Sequence, residues 1–234
     1  MSDEQVPFDE DHAARYDETF RPLAAMKDAL HLAVDISFDA LPDDARVLVV
    51  GAGTGQEILE LAKRHPGWRF VGVDPAGAML ARAKDKAEAS GILERCVFHE
   101  GTLDTLPPGP AFDAATSILV SQFMVEPAAR VGFFAEIAAR LKPGGVLFDA
   151  DLSADADPEA QAAALEWWGV GLARGVGAEQ VPRFMEAYGT LVALSTAAEL
   201  EGFVREADFG KPTCIYQLGV VRGWRMNKAQ DPRT

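Results

Sequence analysis

The residues best suited to chemistry are Gly51-Ala52-Gly53-Thr54-Gly55, which follow the apolar run Val47–Val50 and precede the helical pattern QEILELAKRH. Glycine tolerates positive φ and lets a ligand approach the backbone closely. At the carboxyl edge of an open α/β sheet, a loop of this kind is where a ligand sits. Two phosphate-binding patterns do not fit. The dinucleotide fingerprint asks for Gly or Ala at 56, where this chain has Gln56, and the Walker Gly-Lys-Ser/Thr ending is absent. Asp74 ends the next strand, 19 residues after Gly55. A carboxylate there can accept two hydrogen bonds from a ribose diol. The other reading is an N-cap for the helix that follows.

These residues need a scaffold, and the pattern supplies one. The chain has 234 residues, enough to bury roughly 70–75% of its unfolded surface. Short β-branched runs alternate with longer helical ones. Strands are expected at 46–50, 68–73, 96–98, 112–119 and 146–150, and helices at 55–65, 76–90 and 127–141; Pro66-Gly67 and Lys142-Pro143-Gly144-Gly145 act as breakers. This alternation predicts an α/β, Rossmann-like, doubly wound sheet with right-handed crossovers. With a C-terminal β-hairpin over 211–228 the sheet is seven-stranded and mostly parallel, under a helical cap. No linker is visible, so a single domain is expected: a helical lid at 1–45, a core at 46–151, a helical insert at 152–210 and the hairpin.

In this context the chain resembles the class I S-adenosylmethionine-dependent methyltransferases. The resemblance rests on five blocks in order: VLVVGAGTGQE (47–57), FVGVDPAGAMLARAK (70–84), FHEGTLDTLP (98–107), FDAATSILVSQFM (112–124) and LKPGGVLFDADL (141–152). It implies S-adenosylmethionine as cofactor. Gly51, Ala52, Gly53 and Gly55 would line its methionyl part. Asp74 would hold the ribose, with Pro75 and Met79 at the adenine. Gly101, Thr102 and Leu103 would reach the adenine edge, and Ser117 and Ile118 would lie beneath the cofactor. Two positions depart from the family pattern. Val49 stands where an acidic residue is common, and Thr102 stands where an aspartate is frequent. The cofactor ammonium must therefore rely on backbone carbonyls or another carboxylate.

Methyl transfer needs alignment more than a fixed set of catalytic groups. Three residues are expected near the reacting atoms: Tyr16, beside Asp17 in a segment resembling an N-terminal lid; Gln122, after the fourth strand; and His12, the histidine best placed to act as a base. Helix packing is the plainer reading of Tyr16, and loop exposure that of Gln122. Trp167, Trp168, Phe184 and Tyr188 are expected to wall a substrate pocket, with core or dimer packing as the other reading. No metal site is expected: Cys96 and Cys214 stand far apart, with no Cys/His ligand spacing.

Charge narrows the partners. Lys plus Arg number 22 and Asp plus Glu 36, a net charge of −14. That balance disfavours nucleic acid and anionic membrane surfaces. There is no NPPY or DPPY block after the fourth strand, and no cysteine suited to a cysteine-nucleophile RNA methyltransferase. A small-molecule substrate, a cytoplasmic setting and a monomer or homodimer are expected. The leading expectation is methyl transfer to O or N of a small metabolite. A weaker resemblance, through Ser121-Gln122-Phe123, EPAARVGFFAEIAARLKPGG and STAAELEGFVREADFG, points to the carboxy-S-adenosylmethionine synthase branch, which needs an arginine for the new carboxylate. Arg183 is the candidate there, although its spacing to the next helix departs from that branch. A non-catalytic cofactor-binding regulator is the third reading.

Overall fold

A computed structural model describes residues 10–230, with side chains described outside 11–14. Helices α1 (Glu10–Thr19) and α2 (Ala24–Ser37) precede the sheet. The core then alternates β1 (Arg46–Val50), α3 (Gln56–Arg64), β2 (Arg69–Asp74), α4 (Gly77–Ala89), β3 (Cys96–Glu100), β4 (Phe112–Ile118), α5 (Pro127–Arg140) and β5 (Leu141–Leu152). An insert of α6 (Pro158–Val176), α7 (Val181–Ala187) and α8 (Ala197–Glu206) leads to the hairpin β6 (Thr213–Leu218) and β7 (Val221–Asn227).

The seven strands lie in the order β3-β2-β1-β4-β5-β7-β6. Strands β1 to β5 pair in parallel, and β7 enters antiparallel between β5 and β6. The strand order reverses between β1 and β4, the switch point at which open sheets bind ligands. Val47, Val49, Phe148 and Ala150 face a core layer built with Phe38, Ile58, Leu61 and Trp68. Leu48, Val50, Leu147, Trp224 and Met226 face a second layer with Phe134, Ile137, Leu200 and Val204. The near-continuous apolar strands follow from burial on both faces.

Two expected boundaries move. The fifth strand begins at Leu141 and not at Val146, so the Lys142–Gly145 stretch does not separate helix from strand. A register shift between the Phe112–Leu141 and Ala114–Val146 pairs absorbs it, with Gly144 at φ +73°. The second strand begins at Arg69, because the Trp68 ring is buried and its Nε1 donates to the Pro42 carbonyl.

The insert covers the hairpin end of the sheet. Trp168 and Leu172 of α6 pack with Met26 of α2, Leu152 of β5, and Val220 and Val221 at the hairpin. Thr196 opens α8 with a capping box to Glu199. Among the described residues, no helix is long and apolar enough to cross a membrane.

Candidate cofactor and active site

The glycine loop is tied to the end of β2. The amides of Gly51 and Ala52 both donate to the Val73 carbonyl, at 2.8 and 3.0 Å. Asp74 Oδ2 accepts from the Gly53 amide and Oδ1 from the Ala76 amide, each at 2.8 Å. One carboxylate therefore shapes the loop and caps the entry to α4, and each oxygen keeps further lone-pair capacity for a ligand hydroxyl. Burial raises the Asp74 pKa against the pull of the Ala76 and Gly53 amides. The loop is strapped from the other side by the Gly101 amide, which donates to the Asp74 carbonyl at 3.0 Å.

The glycines divide into two kinds. Gly55 sits at φ +76°, and a Cβ there would stand 2.8 Å from the Ala83 Cβ, so it lets α3 and α4 approach. Gly53 sits at φ +51°, and a Cβ there would have only the Met79 methyl within 4 Å, at 3.8 Å. Its space is therefore open toward a ligand. Above Gly51 lies Val120, whose Cγ2 would come within 2.2 Å of an added Cβ. Val120 is delivered there by Leu119, a non-glycine residue at φ +58° whose amide donates to the Ala150 carbonyl at 2.7 Å. A bulky residue in left-handed backbone is costly and is typical of functional loops.

Helix α1 lies across the same loop. Asp17 accepts from Thr54 Oγ1 at 2.8 Å and from Lys86 Nζ of α4 at 2.5 Å. Tyr16, packed against Phe20 with ring centroids 5.0 Å apart, is half-buried. Burial, then the negative charges of Asp17 and Asp74, raise its phenol pKa. At neutral pH Tyr16 is therefore a hydrogen-bond donor and not a base. His12 falls on α1, but its side chain is outside the described set, as are Phe8 and Asp9 altogether.

The remaining expected residues divide between this edge and the interior. Met79 is buried beside the loop and Leu103 is buried in the core layer under α5, while Pro75 and Thr102 are exposed. Ile118 packs against the α3 side of the sheet, but Ser117 points the other way and is wholly buried. Gln122 is not an exposed loop residue. It is 7% exposed, its Oε1 accepts from the Leu152 amide at 3.1 Å, and its own amide donates to Asp151. Its side-chain carbonyl is thus engaged in fixing β5. Trp168 Nε1 donates to Tyr188 Oη at 2.8 Å within the insert core. Trp167 is half exposed and lies over Gly219 of the hairpin turn, and Phe184 is partly exposed on α7. The four aromatics therefore do not form one wall. Arg183 is exposed on α7.

Several buried polar groups escape sequence reasoning. Arg130 of α5 is 1% exposed and donates to Asp151 Oδ2 at 2.8 Å and to the Ser121 carbonyl at 3.0 Å. It also bonds Ser195 of the insert, and Ser121 Oγ bonds Asp151. Burial lifts the Asp151 pKa to about 6, with Arg130 pulling it down. Neighbouring Asp149 is fully buried, with Ser117 of β4 beside its carboxyl. Burial, then the Asp151 charge, raises its pKa well above the ordinary carboxylate value, against the pull of Ser117 and Arg130. Glu57, in the first turn of α3, is also buried, with Thr116 of β4 beside its carboxyl.

Residues 47–145 match a family described as "Methyltransferase domain". The chain carries a class I S-adenosylmethionine-dependent methyltransferase domain. A carboxy-S-adenosyl-L-methionine synthase of Nautilia profundicola is 35% identical over 91 residues, covering 38% of this chain and 39% of that protein. A demethylmenaquinone methyltransferase of Thermus thermophilus is 42% identical over 107 residues, covering 44% and 47%. The chain thus spans less than half the length of these curated relatives. A solved O-methyltransferase family 2 protein of Planctomyces limnophilus, in complex with apigenin, superposes with a TM-score of 0.64 at 20% identity. It covers 97% of this chain and 63% of that one, and shows the shared fold.

S-adenosylmethionine is the methyl donor of this domain family, and the loop fits it. The open face of Gly53, the free lone pairs of Asp74 and the Met79 methyl give the methyltransferase domain a backbone cradle, a diol acceptor and an apolar contact side by side.

Proposed function

We propose that the protein transfers a methyl group from S-adenosylmethionine to an oxygen or nitrogen of a small molecule in the cytoplasm. The observation that carries this reading is the lid. Helix α1 is fastened to the glycine loop through Asp17–Thr54 and to α4 through Asp17–Lys86. A cover fastened to the loop in this way favours a small acceptor over a polymer.

When bound, the cofactor supplies the electrophilic methyl carbon. The chain contributes position and dryness. Asp74 and Gly53 fix the cofactor end, and Val120 and the half-buried Tyr16 ring limit water beside it. Desolvation and alignment of this kind are effective for displacement at carbon. The expected test result is micromolar or tighter binding of S-adenosylmethionine and S-adenosylhomocysteine by calorimetry. Labelled methyl should then appear in a small-molecule fraction of cell extract. No binding at high micromolar cofactor overturns the proposal.

A second reading draws on the 35% identity to a carboxy-S-adenosyl-L-methionine synthase. It requires a cation to hold an added carboxylate. Arg183 is exposed on α7, and Arg130 is already bound to Asp151. Mass spectrometry of ligand co-purified with the protein separates the two readings, since a carboxylated cofactor is heavier.

A further inference from the structure

Arg130 of α5 is sealed from water, yet each of its three guanidinium nitrogens has a partner. Nε donates to the Ser121 carbonyl at 3.0 Å, Nη2 to Asp151 Oδ2 at 2.8 Å, and Nη1 to Ser195 Oγ. The three partners belong to separate pieces of chain. Ser121 follows β4, Asp151 lies near the end of β5, and Ser195 lies between α7 and α8. A guanidinium is planar, and its donors form a rigid fork. No partner can shift without breaking a buried bond to a charged group, which is costly.

Stability alone does not call for such a hub. Apolar residues of similar volume often serve a core as well as a buried ion pair or better. The arrangement of the partners supplies a reason. Ser121 directly follows Val120, which lies above Gly51, and Leu119 before it is held in left-handed backbone. One side of Arg130 therefore grips the loop over the glycine cradle. The other side grips the insert just after α7. A second tie joins the same two segments, because the Ala193 amide donates to the Gln122 carbonyl at 2.8 Å. One hydrogen bond is a pivot. The Arg130–Ser195 bond, two residues further on, makes it a fixed joint.

We propose that Arg130 is a positioning residue that couples the cofactor loop to the insert. A cofactor held beneath Val120 restrains the loop, and Arg130 with Ser195 passes that restraint to α7 and its exit. The proposal rests on the methyltransferase reading and adds how occupancy of the cradle is felt in the insert.

The test is amide hydrogen exchange on the full chain, with and without saturating S-adenosylhomocysteine, for wild type and Ser195→Ala. In wild type the ligand should slow exchange about threefold or more, both over 119–124 and over 181–192. In Ser195→Ala the slowing should persist over 119–124 and vanish over 181–192. A bond that is merely structural would speed exchange of the insert equally with and without ligand, and the slowing by ligand would survive. That result overturns the proposal, as does a wild-type insert that does not respond while the loop does; both leave the methyltransferase reading intact. Failure of wild type to bind S-adenosylhomocysteine overturns both. Should Ser195→Ala not fold, Arg130→Lys decides. It keeps a charge beside Asp151, but one nitrogen cannot serve three partners. It should show the same selective loss over 181–192, and slowing as in wild type rejects the coupling.

Discussion

Thr54 Oγ1 donates to Asp17 Oδ1 at 2.8 Å, so the first helix is bonded to the loop it covers. Lys86 completes the arrangement from α4. The lid, the cradle and the helix behind the cradle thus share one carboxylate.

Asp17→Ala is expected to loosen α1 without unfolding the protein. The Asp17 side chain is 41% exposed, and ion pairs that exposed contribute at most about 1 kcal/mol. Burial works against ionisation of Asp17, but hydrogen bonds from Lys86 and Thr54 outweigh it and lower its pKa. Its contribution is therefore present above the unfolded value near 4 and lost as pH falls through the folded one. Amide hydrogen exchange should show faster opening of α1 with core strands unchanged. Equal acceleration throughout would contradict the latch.

Gly53→Ala and Gly55→Ala should behave differently. Both strain left-handed backbone, by about 1–2 kcal/mol. At Gly55 the new methyl also meets Ala83 at 2.8 Å, so thermal stability should fall further. At Gly53 it enters open space, so the protein should stay folded but lose most of its cofactor affinity. Thermal unfolding and calorimetry on both variants check the contrast.

Asp74→Ala should weaken S-adenosylhomocysteine binding by about 1.5–3 kcal/mol, the range for hydrogen bonds to a charged group. Unchanged affinity in a folded variant would remove Asp74 from the ribose.

Asp149→Asn tests the buried acid. Because its folded pKa is raised, Asp149 favours the folded state below the unfolded value near 4, and that advantage is lost as pH rises toward the folded value. The amide keeps the shape and cannot ionise. Its Tm should exceed that of wild type at pH 8, with the difference shrinking toward pH 4. A difference that does not vary with pH would mean that Asp149 does not titrate as its surroundings require.

The parallel order and the glycine loop were legible because each is local: a buried strand is a continuous apolar run, and a tight ligand turn needs glycine within five residues. Leu141–Gly145 was misread because Pro143 and two glycines look like punctuation, and the register shift that admits them to β5 is visible only beside β4. The buried acids were invisible for a related reason. Arg130, which stabilises Asp151, lies on a different element 21 positions away. Glu57 reads as an ordinary helix-start acid until its depth beneath the loop is known. Among the aromatics, Trp168 of α6 pairs with Tyr188, just past the end of α7, across 20 positions, which no helical periodicity announces.

The Asp17–Lys86 pair spans 69 positions in sequence. At about 5–20 residues per second, Asp17 is added to the chain roughly 3–14 s before its partner lysine. Thr54 is added 37 positions after Asp17, so for the first part of that interval the segment has neither partner, and for the rest it lacks Lys86. The part of the site that is translated first is therefore among the last to be secured, and its polar sequence suits a stretch of chain that must wait in water.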